Sequence, residues 1–200
     1  MADRRTRSTR WRWVGGGAVL VAGAALVLSR CGADPVLLDE SDFTGVTATS
    51  HRDWIGVTPG PTWCDGIGSE QFTKGASPGS ALGFGERGAA GATIIDRSSY
   101  GAPAEYILEL LERGATSCAE SEPTTRGYSI EPLTGLAEGE VGWTTRTSDG
   151  EWGEYVLIPL DEWRLLAVGF STSEDEPPVE MDELIERARE GAEQFPPERG

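Results

Sequence analysis

The chain has 200 residues, 17 of them basic and 33 acidic, for a net charge of −16. That length allows one ordinary domain plus an appendage, and the acidic excess excludes a nucleic-acid binder, because a phosphate backbone needs cationic partners. The charge is unevenly divided. Six of the basic residues but only one acid, Asp3, fall in residues 1–30, a net +5, which leaves 11 basic and 32 acidic residues and a net −21 for the rest.

The N-terminal segment begins with Arg4, Arg5, Arg7, Arg10 and Arg12, and the 17 residues from Trp13 to Ser29 then carry no charge. As a helix they would span roughly 25 Å, the lower limit for crossing a hydrocarbon core. Trp11 and Trp13 stand where amphipathic rings favour the membrane interface, and the upstream arginines keep the N-terminus inside and place the acidic part outside. Three fates fit this pattern. The stretch can stay as a membrane anchor. Cys31 can be lipidated, since Leu28-Ser29-Arg30-Cys31 resembles a bacterial lipobox, although Arg30 stands where that pattern wants a small residue. Or cleavage after Cys31-Gly32-Ala33 can release the domain. Residues 1–33 are therefore an anchor or signal segment, 34–44 an acidic connector, 45–196 an extracytoplasmic domain and 197–200 a tail.

There are three cysteines. With Cys31 at the membrane boundary, Cys64 and Cys118 form a pair in an oxidising compartment, where disulfides persist. Closing such a loop stabilises by roughly 4 kcal/mol on the chain-entropy account.

Further along, "LLDESDF" is expected as one helical turn, and Pro59-Gly60-Pro61 as a turn. Residues 65–91 hold eight glycines and show no periodicity, which predicts a loop with one short strand near Leu82–Phe84. No Gly-Lys-Ser/Thr follows these glycines, so they form no phosphate loop. "ATIID" reads as a strand. "GAPAEYILELLERG" reads as a helix, with Pro103 in its first turn, Gly114 after its last, and Ala104, Ile107, Leu108 and Leu111 on one face. "YSIEPL" is a short strand. "VGWTTRT", "EWGEYVLIPL" and "WRLLAVGF" then form a three-stranded antiparallel meander, with turns at Ser148-Asp149-Gly150 and Asp161-Glu162. The last strand is the most apolar and so belongs at the centre. "VEMDELIERAREGAEQF" closes the chain as a helix whose stripe is Met181, Leu184, Ile185, Ala188, Ala192 and Phe195. The expected fold class is α+β: an antiparallel sheet packed by two amphipathic helices as a two-layer sandwich, with one disulfide and an N-terminal membrane helix.

Catalytic readings find little support. His51 is the sole histidine and has Ser50 and Asp53 nearby, but no nucleophile motif accompanies it. Glu138/Glu140 and Asp149/Glu151 are pairs that an acidic chain produces by chance. Glu174-Asp175-Glu176 lacks EF-hand spacing, and the cysteine and histidine count is too small for a closed zinc site. No enzyme activity, cofactor or metal is expected. Trp143, Trp152 and Trp163 are either core residues or the walls of a ligand pocket.

The segments "VLLDESDF", "PGPTWCDGIG" and "ATIIDRSSYGAPAEYILELLERGATSC", the late hairpins and the terminal amphipathic helix together resemble the extracellular sensor domains of actinobacterial serine/threonine kinases of the PknH type and their stand-alone exported lipoprotein relatives. The resemblance covers roughly residues 35–195. It departs from that family at "EWGEYVLIPLDEWRLLAV", which lacks the cysteine of a second disulfide. It implies a sensing or binding module with a cleft between sheet and helix, recognising a small ligand or a cell-envelope component. A protein–protein accessory module of an envelope complex is the alternative.

Overall fold

The computed structural model describes residues 35–50, 76–98, 101–120 and 128–197. The chain divides between Asp34 and Pro35, and all the described residues belong to the second unit. Among them no helix is long and apolar enough to cross a membrane. The expected membrane helix, Cys31, His51 and Cys64 lie outside the described residues.

Among the described residues seven strands form one sheet: β1 (Ala48–Ser50), β2 (Ala76–Gly83), β3 (Ala89–Asp96), β4 (Tyr128–Pro132), β5 (Val141–Thr147), β6 (Trp152–Pro159) and β7 (Arg164–Thr172). Their order is β1-β2-β3-β7-β6-β5-β4, and every neighbouring pair is antiparallel. Helix α1 (Ala104–Glu120) follows β3, and helix α2 (Met181–Ala192) follows β7. After α1 the chain drops to the far edge as β4 and meanders back through β5 and β6, so that β7 pairs with β3 at the centre.

Among the described residues the two α-helices cover opposite faces, which makes three layers rather than the expected two. Val156, Ile158, Leu166, Val168 and Phe170 share a core with Leu184, Ala188 and Ala192 of α2. Their alternates Tyr155, Leu157, Leu165 and Ala167 share the other core with Ile107, Leu108, Leu111 and Ala115 of α1. Strands β6 and β7 are apolar on both faces, and a near-continuous apolar run is the mark of a strand buried on both sides. Each fully buried Leu, Ile or Val contributes about 1.5–3 kcal/mol, so neither face could be left to water.

Three other expectations change. Within the described part of the glycine-rich stretch, residues 76–91, the chain is not a loop: β2 and β3 form a hairpin whose register runs from Gly83↔Ala89 to Ala76↔Ile95 with one shift between Ala76 and Gly79. The meander has four strands, because β4 pairs with β5 from Tyr128↔Thr147 to Pro132↔Trp143. Helix α1 also runs through Gly114 to Glu120. Gly114, Ala115 and Cys118 continue its buried stripe, and this packing offsets the roughly 1 kcal/mol that glycine costs in a helix. The turn at 148–150 forms as expected: the Thr147 N–H donates to the Glu151 carbonyl at 2.7 Å, and Gly150 has φ +97°.

One turn pins all three layers. Between β6 and β7, the carbonyl of Glu162 accepts the N–H of Ala104 at the start of α1 (2.8 Å), and the carbonyl of Trp163 accepts the N–H of Arg97 (2.9 Å). Arg164 donates to the carbonyl of Phe195 beyond α2 at 2.5 Å and to Asp161 at 2.6 Å. Burial pushes the Asp161 carboxyl up, but the N–H groups of Trp163 and Arg164 together with the Arg164 guanidinium outweigh it and hold the group below its usual range.

The connector is part of this fold. Leu37 and Leu38 are each 1% exposed, and both backbone N–H groups donate to the hydroxyl of buried Ser80, at 3.2 and 3.3 Å. The turn expected in "LLDESDF" is the 3-10 helix Glu40–Asp42, capped by Asp39, whose carboxylate accepts the Ser41 N–H.

Candidate functional site

The β4–β5 connection, residues 133–140, is built around two left-handed glycines, Gly135 (φ +83°) and Gly139 (φ +82°), a conformation that costs glycine nothing. The Leu133 N–H donates to the Gly142 carbonyl at 2.9 Å and closes the loop's base. Leu133 and Leu136 fold over Gly142: a Cβ there would lie 3.1 and 3.0 Å from their methyl carbons and 2.8 Å from the Tyr155 carbonyl oxygen. Only a residue without a side chain leaves room for that cover.

Between this loop and the second half of α1 lies a cavity of about 260 Å³, lined by Glu112, Ala115, Thr116, Pro132, Leu133, Gly135, Leu136, Ala137, Glu140, Val141 and Gly142. Most of its lining residues are small or apolar, yet the surface they expose is more polar than apolar, and its charged members are both carboxylates. Glu140 is the more fixed of these. Its side chain is 7% exposed and pairs with Arg189 of α2, and its other oxygen accepts the Ala137 N–H at 3.2 Å. The Thr116 hydroxyl donates to the Glu112 carbonyl at 3.0 Å. Such a lining offers oxygen acceptors beside a few small and apolar side chains. Among the described residues no group of three or more His, Cys, Asp or Glu side chains could hold a metal ion.

The three tryptophans read as core residues or pocket walls are not brought together, and none lines this cavity. Trp143 is fully buried under α1 and stacks on Tyr155 at 6.2 Å; its indole N–H lies buried without a hydrogen-bond partner. Trp152 is on the opposite face, half-buried, edge-on to Phe170 at 5.2 Å, with its N–H donating to the Glu174 carbonyl at 2.6 Å. Trp163 sits in the β6–β7 turn, where its backbone N–H donates to the Asp161 carboxylate. Strand aromatics here supply packing area to two separate cores.

Of the carboxylates weighed for glycosidase chemistry, two have side-chain partners. Glu140 has Arg189, Glu138 is exposed, and Asp149 accepts the Thr147 hydroxyl, which lowers its pKa. Cys118 is a half-cystine, 7% exposed in the α1 core. Its expected partner, Cys64, lies outside the described residues. Sequence reading missed the cavity loop. The available signal was "PLTGLAEGE", a connection with two glycines and two leucines that a purely solvated loop would not need.

Among solved structures, the extracellular domain of PknH from Mycobacterium tuberculosis is similar. The match covers 82% of this chain and 98% of that one, at 9% identity and a TM-score of 0.47. No protein family matches the chain in sequence, and no curated protein does.

Proposed function

We propose that this chain is a membrane-tethered, non-enzymatic extracytoplasmic domain that binds a small ligand or a cell-envelope component. The observation that carries the reading is the cavity between α1 and the β4–β5 loop. Its exposed lining is more polar than apolar, with a few fixed acceptors, and it lies next to the meander, so an occupant would touch both a helix and the sheet. Export is supported by the division of charge, +5 over residues 1–30 against −21 beyond them, and by the uncharged run Trp13–Ser29. The Cys64–Cys118 disulfide belongs to the same reading.

The test is a titration of the full chain in detergent with a panel of envelope-derived compounds, following tryptophan emission, with Thr116→Trp placing an added ring in the cavity lining. A saturable change that this variant alters supports the reading. If no compound in the panel gives a saturable response while crosslinking in cells captures one specific protein, the accessory-module alternative takes its place. Intact mass of the membrane fraction distinguishes a retained anchor, lipidation at Cys31 and cleavage before Asp34.

A further inference from the structure

We propose that the Glu140–Arg189 ion pair is a latch through which the α1/β4–β5 cavity controls how firmly the connector Pro35–Phe43 is seated in the domain. The proposal rests on the reading of that cavity as a ligand site and names its output.

Three contacts make the latch. Glu140 lines the cavity and accepts the Ala137 N–H, so its carboxylate holds the loop in its closed shape. The same carboxylate accepts from the guanidinium of Arg189, a residue of α2, the helix on the other face of the sheet. Two positions beyond Arg189, Gly191 lies directly against the main chain of Leu37, whose N–H, with that of Leu38, is held by Ser80. One short stretch of α2 therefore touches the cavity loop on one side and the connector on the other.

The energetics suit a switch more than a permanent tie. Arg189 is 49% exposed, so the pair adds little to global stability. The Glu140 side chain is 7% exposed, and it keeps the Ala137 N–H as a donor when Arg189 is lost, so breaking the pair does not leave the carboxylate without a partner. An occupant that displaces the loop, or offers Glu140 another donor, exchanges one paired arrangement for another and frees Arg189. Packed helices move as bodies between discrete arrangements. Loss of the Arg189 tether therefore acts on Gly191, and through it on Leu37.

The test needs no ligand, so it is separate from the ligand titration. Native-state hydrogen exchange is measured on the full chain in detergent for wild type, Arg189→Ala, Glu140→Gln, the double variant and Arg189→Lys. The readouts are the Leu37 and Leu38 amides, with Val168 in the central strand as the reference for global opening. The expected result is exchange about tenfold faster at Leu37 and Leu38 in each single variant with Val168 nearly unchanged. The double variant is expected to be no faster than the faster single variant, and Arg189→Lys close to wild type. Unchanged Leu37 and Leu38 exchange in both single variants, or an equal rise at Val168, overturns the latch. A ligand screen without hits alongside the expected exchange pattern removes the proposed ligand and leaves the coupling.

Discussion

Gly191 is packed against Leu37 so closely that a Cβ built on it would lie 2.1 Å from the Leu37 carbonyl oxygen and 2.8 Å from its Cα. Near the end of α2, alanine would ordinarily be favoured over glycine by up to about 1 kcal/mol. Here the obstacle is main chain held by the Ser80 hydrogen bonds, which cannot rotate away. Gly191→Ala is expected to lower stability by about 1–3 kcal/mol through this overpacking, read as a lower urea midpoint with an unchanged slope. A raised midpoint would mean that the connector yields.

Ser80 satisfies two buried donors with one oxygen. Ser80→Ala removes the acceptor and leaves the N–H groups of Leu37 and Leu38 enclosed. Unmet buried groups cost about 1–3 kcal/mol each, and a loss of about 2–4 kcal/mol is expected on that basis. A loss under half a kilocalorie would show that the pair finds another acceptor.

The elements most legible in sequence were those whose pattern is local. The stripe of α2 is written at helical spacing, Ser148-Asp149-Gly150 carries its own turn chemistry, and "WRLLAVGF" is apolar enough to be central, as β7 is. The layer count was harder to read. "YVLI" and "RLLAVGF" do not alternate, and without the partner elements a two-faced strand cannot be told from a short apolar run. The glycines of β2 and β3 suppress periodicity, since a residue without a side chain belongs to neither face. Gly114 looked like a stop because its packing in the α1 stripe depends on the sheet beneath. The cavity was illegible for a further reason: Glu112 and Glu140 line it from separate elements, and no spacing along the chain encodes that arrangement.

Glu154 supplies a pH test on the α2 face. Burial pushes its carboxyl up, and the Glu180 carboxylate adds to the effect. A carboxyl whose folded pKa is raised binds its proton more tightly folded than unfolded. Stability then falls as pH rises from the unfolded value near 4.5 through the folded one. Glu154→Gln stays neutral, so it is expected to flatten this decline and to unfold at a higher urea concentration than wild type at pH 7, with the two converging below pH 4. Parallel wild-type and variant profiles across that range would exclude the assignment.

Tyr155 makes the corresponding test at the alkaline end, beneath α1. It is 4% exposed and stacks on Trp143. Burial pushes its phenol up to about 12, against a lowering hydrogen bond with Thr145, and the Glu151 carboxylate raises it further. Of the four tyrosines, it is expected to be the last to show phenolate absorbance. The unfolded chain loses this proton near pH 10 while the folded chain keeps it to about 12. The folded state therefore holds the extra proton, and stability declines as pH rises through that window. Tyr155→Phe cannot ionise. The expected outcome is a lower urea midpoint than wild type at pH 8, from the lost Thr145 hydrogen bond, with a gap that narrows or reverses by pH 11.5. A gap that stays constant from pH 8 to 11.5 would mean that the phenol ionises at its ordinary value.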